Sequence, residues 1–377
     1  MRILVVFGTR PEAIKLAPVV LALARHPREF SVRVCVTAQH REMLDQVLDV
    51  YAIRPDHDLD VMRPDQTLPD LTAAALLALG RVIDAERPVL VVVQGDTTTT
   101  MVAALAAFYA RIPVAHVEAG LRTRDKRAPF PEEMNRHVTS VIADLHFAPT
   151  EGAKQNLLAE GVDASSIHVT GNTVVDALVM ARAKLAGGRV AAPELQRLDP
   201  AQHALILVTA HRRESFGAGL ENVCRAIRDL VERNPAIAVV FPVHLNPNVR
   251  EQVRRVLAGP AAVEERLILT EPLSYTDLVW VLDRCRLVLT DSGGIQEEAP
   301  TFHKPVLVMR DITERPEGVT AGVARLVGTD WHRIRKETER LLRDEVAYAA
   351  MTGAANPYGD GHAAERIVDV IRRRRKD

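Results

Sequence analysis

The sequence predicts an α/β protein of two domains, each a parallel sheet with helices on both faces. Three observations carry that expectation. Short runs rich in Val, Ile and Leu alternate with helical patterns along most of the chain, which is the rhythm of βα units. The 377 residues exceed the length at which a single core usually stops growing. Between the halves, Ala186-Gly187-Gly188-Arg189-Val190-Ala191-Ala192-Pro193 is small and proline-bearing, as suits a surface connection.

Taken in order, strands are expected at 3–7, 32–37, 89–94, 114–118, 145–148 and 167–169 in the first half. The second half repeats the rhythm at 204–209, 238–243, 267–269, 287–290, 305–308 and 324–327. Most of these runs are apolar and rich in Val, Ile and Leu, and all are of strand length. A last helix is expected over 361–376, behind the turn signal Asn356-Pro357-Tyr358-Gly359. The expected domains are 1–170 and 171–357, with 358–377 packing back on the first.

Composition narrows the function classes. Hydrophobic residues make up 47% and charged residues 26%, and no apolar stretch is long enough to span a membrane. The amino terminus enters a strand at once, without the features of a signal peptide, so the expected location is the cytoplasm. A net charge of -1 offers no broad attraction for nucleic acid or an anionic membrane. The run Arg372-Arg373-Arg374-Arg375-Lys376 ends a helix, where cations suit the dipole. Cys35, Cys224 and Cys285 have no metal-ligand spacing and read as small buried hydrophobes, so no metal site is expected.

Chemistry is written most plainly between Gln94 and Asn135. Asp96 follows the 89–94 run in Gly95-Asp96-Thr97-Thr98-Thr99-Thr100, and Glu118 follows the next strand in Glu118-Ala119-Gly120-Leu121-Arg122. Glu132 opens a helix behind Pro129-Phe130-Pro131. In open parallel sheets ligands bind outside the carboxyl ends of strands, so three carboxylates in such segments spell an acid/base site.

Anion sites are expected around them. Gly8-Thr9-Arg10-Pro11-Glu12-Ala13-Ile14-Lys15 follows the first strand, with a capping-box pattern at Thr9 and Glu12 and two cations, Arg10 and Lys15, beside a helix start. One glycine stands where a dinucleotide loop needs three, which disfavours a nicotinamide oxidoreductase. In the second half, Asp291-Ser292-Gly293-Gly294-Ile295-Gln296-Glu297-Glu298 allows close backbone approach to a diphosphate, with Glu298 placed to accept from a ribose diol. His211-Arg212-Arg213-Glu214 and the Arg310–Arg315 stretch add cations after two further strands.

Gly8-Thr9-Arg10-Pro11-Glu12, Thr37-Ala38-Gln39-His40, Gly95-Asp96-Thr97-Thr98, Val117-Glu118-Ala119-Gly120-Leu121-Arg122, His211-Arg212-Arg213-Glu214 and Asp291-Ser292-Gly293-Gly294 together resemble the non-hydrolysing UDP-N-acetylglucosamine 2-epimerases. The resemblance runs over essentially the full chain. It implies the GT-B architecture, two Rossmann-like domains with parallel sheets facing an interdomain cleft, usually as a homodimer. It further implies interconversion of UDP-GlcNAc and UDP-ManNAc without a cofactor. Asp96, Glu118, Glu132 and His211 match the family's catalytic positions. Arg10, Leu273, Ser292, Gly293, Gly294, Glu298 and Arg315 resemble its UDP-binding positions, and Lys15 its first-helix lysine. Gln39, His40, Arg212 and His244 match a second, activating UDP-GlcNAc site, from which Glu42 and Asp65 depart as acidic residues that would repel a diphosphate. The same residues leave three other readings open: a GT-B glycosyltransferase, a 2-epimerase of a diacetamido or uronic UDP-sugar, and a nucleotide-sugar sensor.

Overall fold

Continuous apolar runs become strands covered on both faces, where a parallel sheet most favours Val, Ile and Leu. In the computed structural model, residues 3–7 and 91–93 are all 0% exposed. The structure describes residues 1–37, 41–63, 65–185, 192–198, 202–210, 217–243 and 246–374, excluding the side chains of 41–43 and 248. Among the described residues no helix is long and apolar enough to cross a membrane.

The chain divides into two units, Met1–Met180 with Tyr358–Asp377, and Ala181–Pro357. The first contains β1 (Arg2–Phe7), α1 (Arg10–Ala24), β2 (Ser31–Val36), α2 (Arg41–Tyr51), β3 (His57–Asp58), α3 (Leu68–Glu86) and β4 (Leu90–Gln94). It continues through α4 (Thr98–Tyr109), β5 (Val114–Val117), α5 (Glu132–Ile142), β6 (Leu145–Ala148), α6 (Glu151–Ala159), β7 (Ile167–Val169) and the start of α7 (Thr173–Leu185). Its parallel sheet has the order β3-β2-β1-β4-β5-β6-β7. The direction of strand order reverses between β1 and β4, a topological switch point outside which ligands characteristically bind.

The second unit contains β8 (Ala204–Thr209), α8 (Ala218–Arg233), β9 (Ile237–Pro242), α9 (Pro247–Leu257), α10 (Ala261–Glu264), β10 (Leu267–Thr270), α11 (Tyr275–Arg284) and β11 (Leu287–Thr290). Then come α12 (Gly293–Glu298), β12 (Val306–Val308), α13 (Pro316–Thr320), β13 (Ala324–Leu326), α14 (Trp331–Arg343) and α15 (Glu345–Thr352). Its sheet, order β10-β9-β8-β11-β12-β13, is also parallel and switches between β8 and β11. The chain ends in α16 (Ala363–Arg374), which packs on α1 in the first unit. The α/β class with two parallel sheets is therefore the class the sequence predicts.

One expected boundary shifts, and one strand escapes the sequence pattern. The first unit runs to Met180 rather than 170, because the start of α7 is bound into it. Asp176 accepts from Ala363 N at 3.2 Å and Ala364 N at 2.8 Å, and Ala177 O accepts from Tyr51 Oη at 2.8 Å. The two-residue strand β3, His57–Asp58, carries no apolar run and is unreadable from pattern; its place comes from pairing with β2. Cys35, Cys224 and Cys285 are buried and free, and burial pushes each thiol up to about 12.

Candidate active site

In the first unit the ends of β4 and β5 leave the sheet through two left-handed residues, Gly95 at φ 76° and Glu118 at φ 63°. Glycine adopts that conformation freely, whereas a glutamate there is strained by on the order of 1 kcal/mol. Such a residue persists when its surroundings over-determine it. Glu118 is 8% exposed, and three donors meet its carboxylate. Gln94 Nε2 donates to Oε2, Lys15 Nζ pairs with Oε1, and Asn172 Nδ2 donates to Oε1 at 3.0 Å. These donors come from β4, α1 and the segment after β7, so the strand ends are tied together at one carboxylate.

Asp96 is half-buried, and its Oδ2 accepts from Arg136 Nε at 3.0 Å and Nη2 at 2.6 Å. Asn135 Nδ2 donates to the Asp96 carbonyl at 2.9 Å. Burial opposes the charge of Arg136, but Asp96 and Glu133 outweigh it and hold the guanidinium above its ordinary value.

The adjacent glutamates at the start of α5 have different environments. Glu133 is 0% exposed and accepts from Thr123 N and Arg124 N, both at 3.1 Å, and from Arg136 Nη1 at 2.7 Å. Burial raises its pKa, yet those donors outweigh burial and hold it below the usual carboxylate range. Glu133 thus fastens the loop to the helix. Glu132, half-buried one position earlier, has a side chain with no hydrogen bond or ion pair among the described residues. One residue along a helix turns a side chain by about 100°, enough to separate the two.

Behind these ends, Glu12 is 2% exposed and gathers four donors. Gly8 N lies at 3.0 Å, Thr9 N at 2.8 Å, Thr97 Oγ1 at 2.7 Å and Thr100 Oγ1 at 3.0 Å. It joins the turn bearing Arg10 to the turn bearing Asp96. Burial pushes its pKa up despite these bonds.

His116, 0% exposed in β5, approaches the Gly95 carbonyl through Nε2 at 2.7 Å. Burial, helped by His146, Arg122 and Arg136, pushes its pKa down to about 3. The folded protein therefore holds it neutral, while the unfolded chain protonates it near 6.5. Its contribution to stability is full above pH 6.5 and is lost as pH falls toward 3. Between pH 7 and pH 5 this one group is expected to cost about 2 kcal/mol. Burial holds His146 low as well, so it acts in the same direction. Urea midpoints at both pH values check this, and an unchanged pH dependence in His116→Gln would count against it.

In the second unit Ser292 is the N-cap of α12, and Gly293 and Gly294 are that helix's first two residues. Thr290 Oγ1 accepts from Ser292 N at 2.9 Å and lies 2.6 Å from Thr209 Oγ1 at the end of β8. Arg315 Nε pairs with Glu297, and Thr313 Oγ1 donates to Gln296 at 2.6 Å, which fastens the 313–315 segment onto α12. Leu273 is buried; Glu298 and Arg10 are half-buried. His211, Arg212, Gln39, His40 and His244 lie outside the described residues, as does the Glu42 side chain; Asp65 is exposed.

The structure thus brings Lys15 to Glu118 and sets Glu132 on the helix that grips Asp96, while Ser292, Gly293, Gly294, Glu298 and Arg315 belong to the other unit. Sequence reasoning missed Gln94, Asn135, Arg136 and Asn172. A readable signal existed for Gln94, a polar residue closing an otherwise Leu/Val strand, and for Asn172, in the Thr-Gly-Asn-Thr segment after β7.

Known proteins are similar to this chain in sequence and fold. The family profile for UDP-N-acetylglucosamine 2-epimerase matches residues 21–372. The UDP-N-acetylglucosamine 2-epimerase of Escherichia coli (strain K12) is 54% identical over 379 residues, spanning 100% of this chain and 99% of its own. The crystal structure of the Neisseria meningitidis UDP-GlcNAc 2-epimerase bound to UDP-GlcNAc superposes with a TM-score of 0.87 at 45% identity, covering 98% of this chain and 99% of that one. The Methanocaldococcus jannaschii UDP-GlcNAc 2-epimerase in complex with UDP-GlcNAc and UDP gives 0.77 at 33% identity, with coverage of 98% and 99%.

Proposed function

Because the chain belongs to the UDP-N-acetylglucosamine 2-epimerase family, we propose that it interconverts UDP-GlcNAc and UDP-ManNAc by inverting carbon 2 of the sugar. The observation that carries the reading is the set of carboxylates at the switch-point end of the first sheet. Glu118 and Asp96 are each held by a cation, and Glu132 has no partner among the described residues.

The C2–H bond is not adjacent to a carbonyl carbon, so direct deprotonation demands too strong a base. Breaking the anomeric C1–O bond, first or in concert, builds positive charge at C1 and acidifies the neighbouring proton. UDP leaves with the bonding electron pair, a carboxylate takes the C2 proton, and a C1=C2 double bond forms, giving 2-acetamidoglucal. Addition of the UDP oxygen to C1 and proton delivery to the opposite face of C2 complete the inversion. Electrons balance without an oxidant.

In this reading Asp96, Glu118 and Glu132 supply the proton chemistry, and Arg10, Lys15, His211, Ser292, Gly293, Gly294 and Arg315 stabilise departing UDP. Leu273 and Glu298 complete the nucleotide site. The pairing of Lys15 with Glu118 supports a cation shared between the leaving group and the proton-transfer site.

Proton NMR of the protein with UDP-GlcNAc in deuterium oxide tests the reading. UDP-ManNAc carrying deuterium at C2 is the expected product; release of free ManNAc, or an unchanged spectrum with either sugar nucleotide, overturns it.

The acting form we propose is a homodimer. The neighbouring helices α3, α4 and α5 leave Leu77, Phe108, Tyr109 and Val141 between 60% and 86% exposed, an apolar face that a second copy would cover. Sedimentation equilibrium should give a two-chain mass that falls toward one chain in Val141→Glu; a monomeric wild type contradicts the reading.

A further inference from the structure

We infer that His116 is a positioning residue for this reaction, acting on Asp96 through the Gly95 carbonyl. The inference rests on the proposed proton-transfer role of Asp96.

His116 sits inside β5, in register with Val93 of β4 and His146 of β6. Its strand neighbours Ala115 and Val117 are apolar and buried, and an apolar residue would be the easier choice there. Burying an imidazole instead leaves Nδ1 without a hydrogen-bond partner among the described residues, a desolvated group that costs free energy. The offsetting contact is made at the other nitrogen. A carbonyl oxygen only accepts, so Nε2 must carry the proton in its 2.7 Å contact with Gly95, and the tautomer is thereby fixed.

That bond completes a grip on the two peptides flanking Gly95. Gly95 N donates to the Val117 carbonyl at 3.0 Å, so β5 holds Gly95 by its N–H through the backbone and by its C=O through His116. The next carbonyl, that of Asp96, is held by Asn135 at 2.9 Å, and the Asp96 carboxylate by Arg136. Gly95, at φ 76°, is the flexible joint of this segment and by itself would let Asp96 swing. With the His116 bond in place, the direction of the Asp96 side chain is set before substrate arrives. Misplacing a reacting group by about 1 Å costs on the order of a hundredfold in rate.

The test is a double-mutant cycle on epimerisation, read by NMR. His116→Phe fills the ring volume without a donor, His116→Gln returns an N–H near the reach of Nε2, and His116→Asn is polar but too short. His116→Phe is expected to lower kcat by about 10- to 100-fold with KM changed less than about threefold. His116→Gln should recover most of the loss, and adding His116→Phe to Asp96→Asn should lower the residual rate by less than about twofold. If His116→Phe does not fold, the Gln and Asn variants give the same contrast. Equal fractional losses in both backgrounds, a loss confined to KM, or a Gln variant as slow as Phe or Asn would overturn the assignment. A fully active Asp96→Asn enzyme would instead overturn the role of Asp96, so the two failures are distinct.

Discussion

Glu118→Gln is expected to lower epimerisation by at least about a hundredfold while the protein stays folded. The carboxylate is the meeting point of Gln94, Lys15 and Asn172, all of which donate to it. An amide of the same shape cannot take up a proton, and it turns one acceptor into an N–H₂ facing a donor. It also removes the negative charge opposite Lys15, whose side chain is 17% exposed, so the ammonium loses its counter-ion in a poorly solvated place. Both effects act on the reacting centre, whereas the strand and its apolar packing are untouched. Initial rates by NMR and a thermal midpoint separate the two consequences. A variant within about threefold of the wild-type rate would remove Glu118 from the chemistry, and Asp96→Asn and Glu132→Gln are expected to behave as Glu118→Gln does.

The largest effect on stability is expected from Gly120→Ala. Gly120 has φ 89°, and a Cβ there would lie 2.2 Å from the Ala153 carbonyl oxygen and 2.9 Å from its carbon. Those atoms are backbone of α6 and cannot rotate aside, so the helix must move off the sheet. Gly161 separates the two contributions, because it shares a positive φ of 83° but has nothing within 4 Å of the place a Cβ would take. Gly161→Ala carries the conformational strain alone, about 1 kcal/mol; Gly120→Ala adds the clash and should cost about 3–5 kcal/mol. Against a typical total of about 5–15 kcal/mol, the second variant is expected to fold poorly. Urea unfolding of both decides it: equal losses would mean that the α6 contact yields easily and that the close approach has no structural weight.

The pH dependence assigned to His116 belongs to the same physics. A buried imidazole held neutral makes the folded state sensitive to acid, and the position of that imidazole under the Gly95–Asp96 turn links the sensitivity to the site.

Much of the fold is legible in the amino-acid order. The runs at 145–148, 167–169, 204–209 and 287–290 coincide with β6, β7, β8 and β11, because a short, mainly apolar stretch between turn residues has few other stable fates. Asp96 and Glu118 can be placed after strand ends by the same pattern. Their partners cannot: Gln94 is 24 residues from Glu118, Asn172 is 54, and Arg136 is 40 from Asp96. No local period connects such positions; only the strand order β1-β4-β5-β6-β7 brings them together. The choice between Glu132 and Glu133 is likewise closed to sequence, since consecutive helix positions carry equal propensity and differ only in what each faces. By itself, then, the sequence determined two sheets, their strands other than β3, and the family's ordered motifs, because hydrophobic periodicity and turn chemistry are local. Tertiary structure alone decided that Glu133 is locked while Glu132 has no partner among the described residues, that Lys15 neutralises Glu118, and that a buried histidine grips the turn carrying Asp96. Each of these depends on the burial and distance of groups that sequence order does not relate.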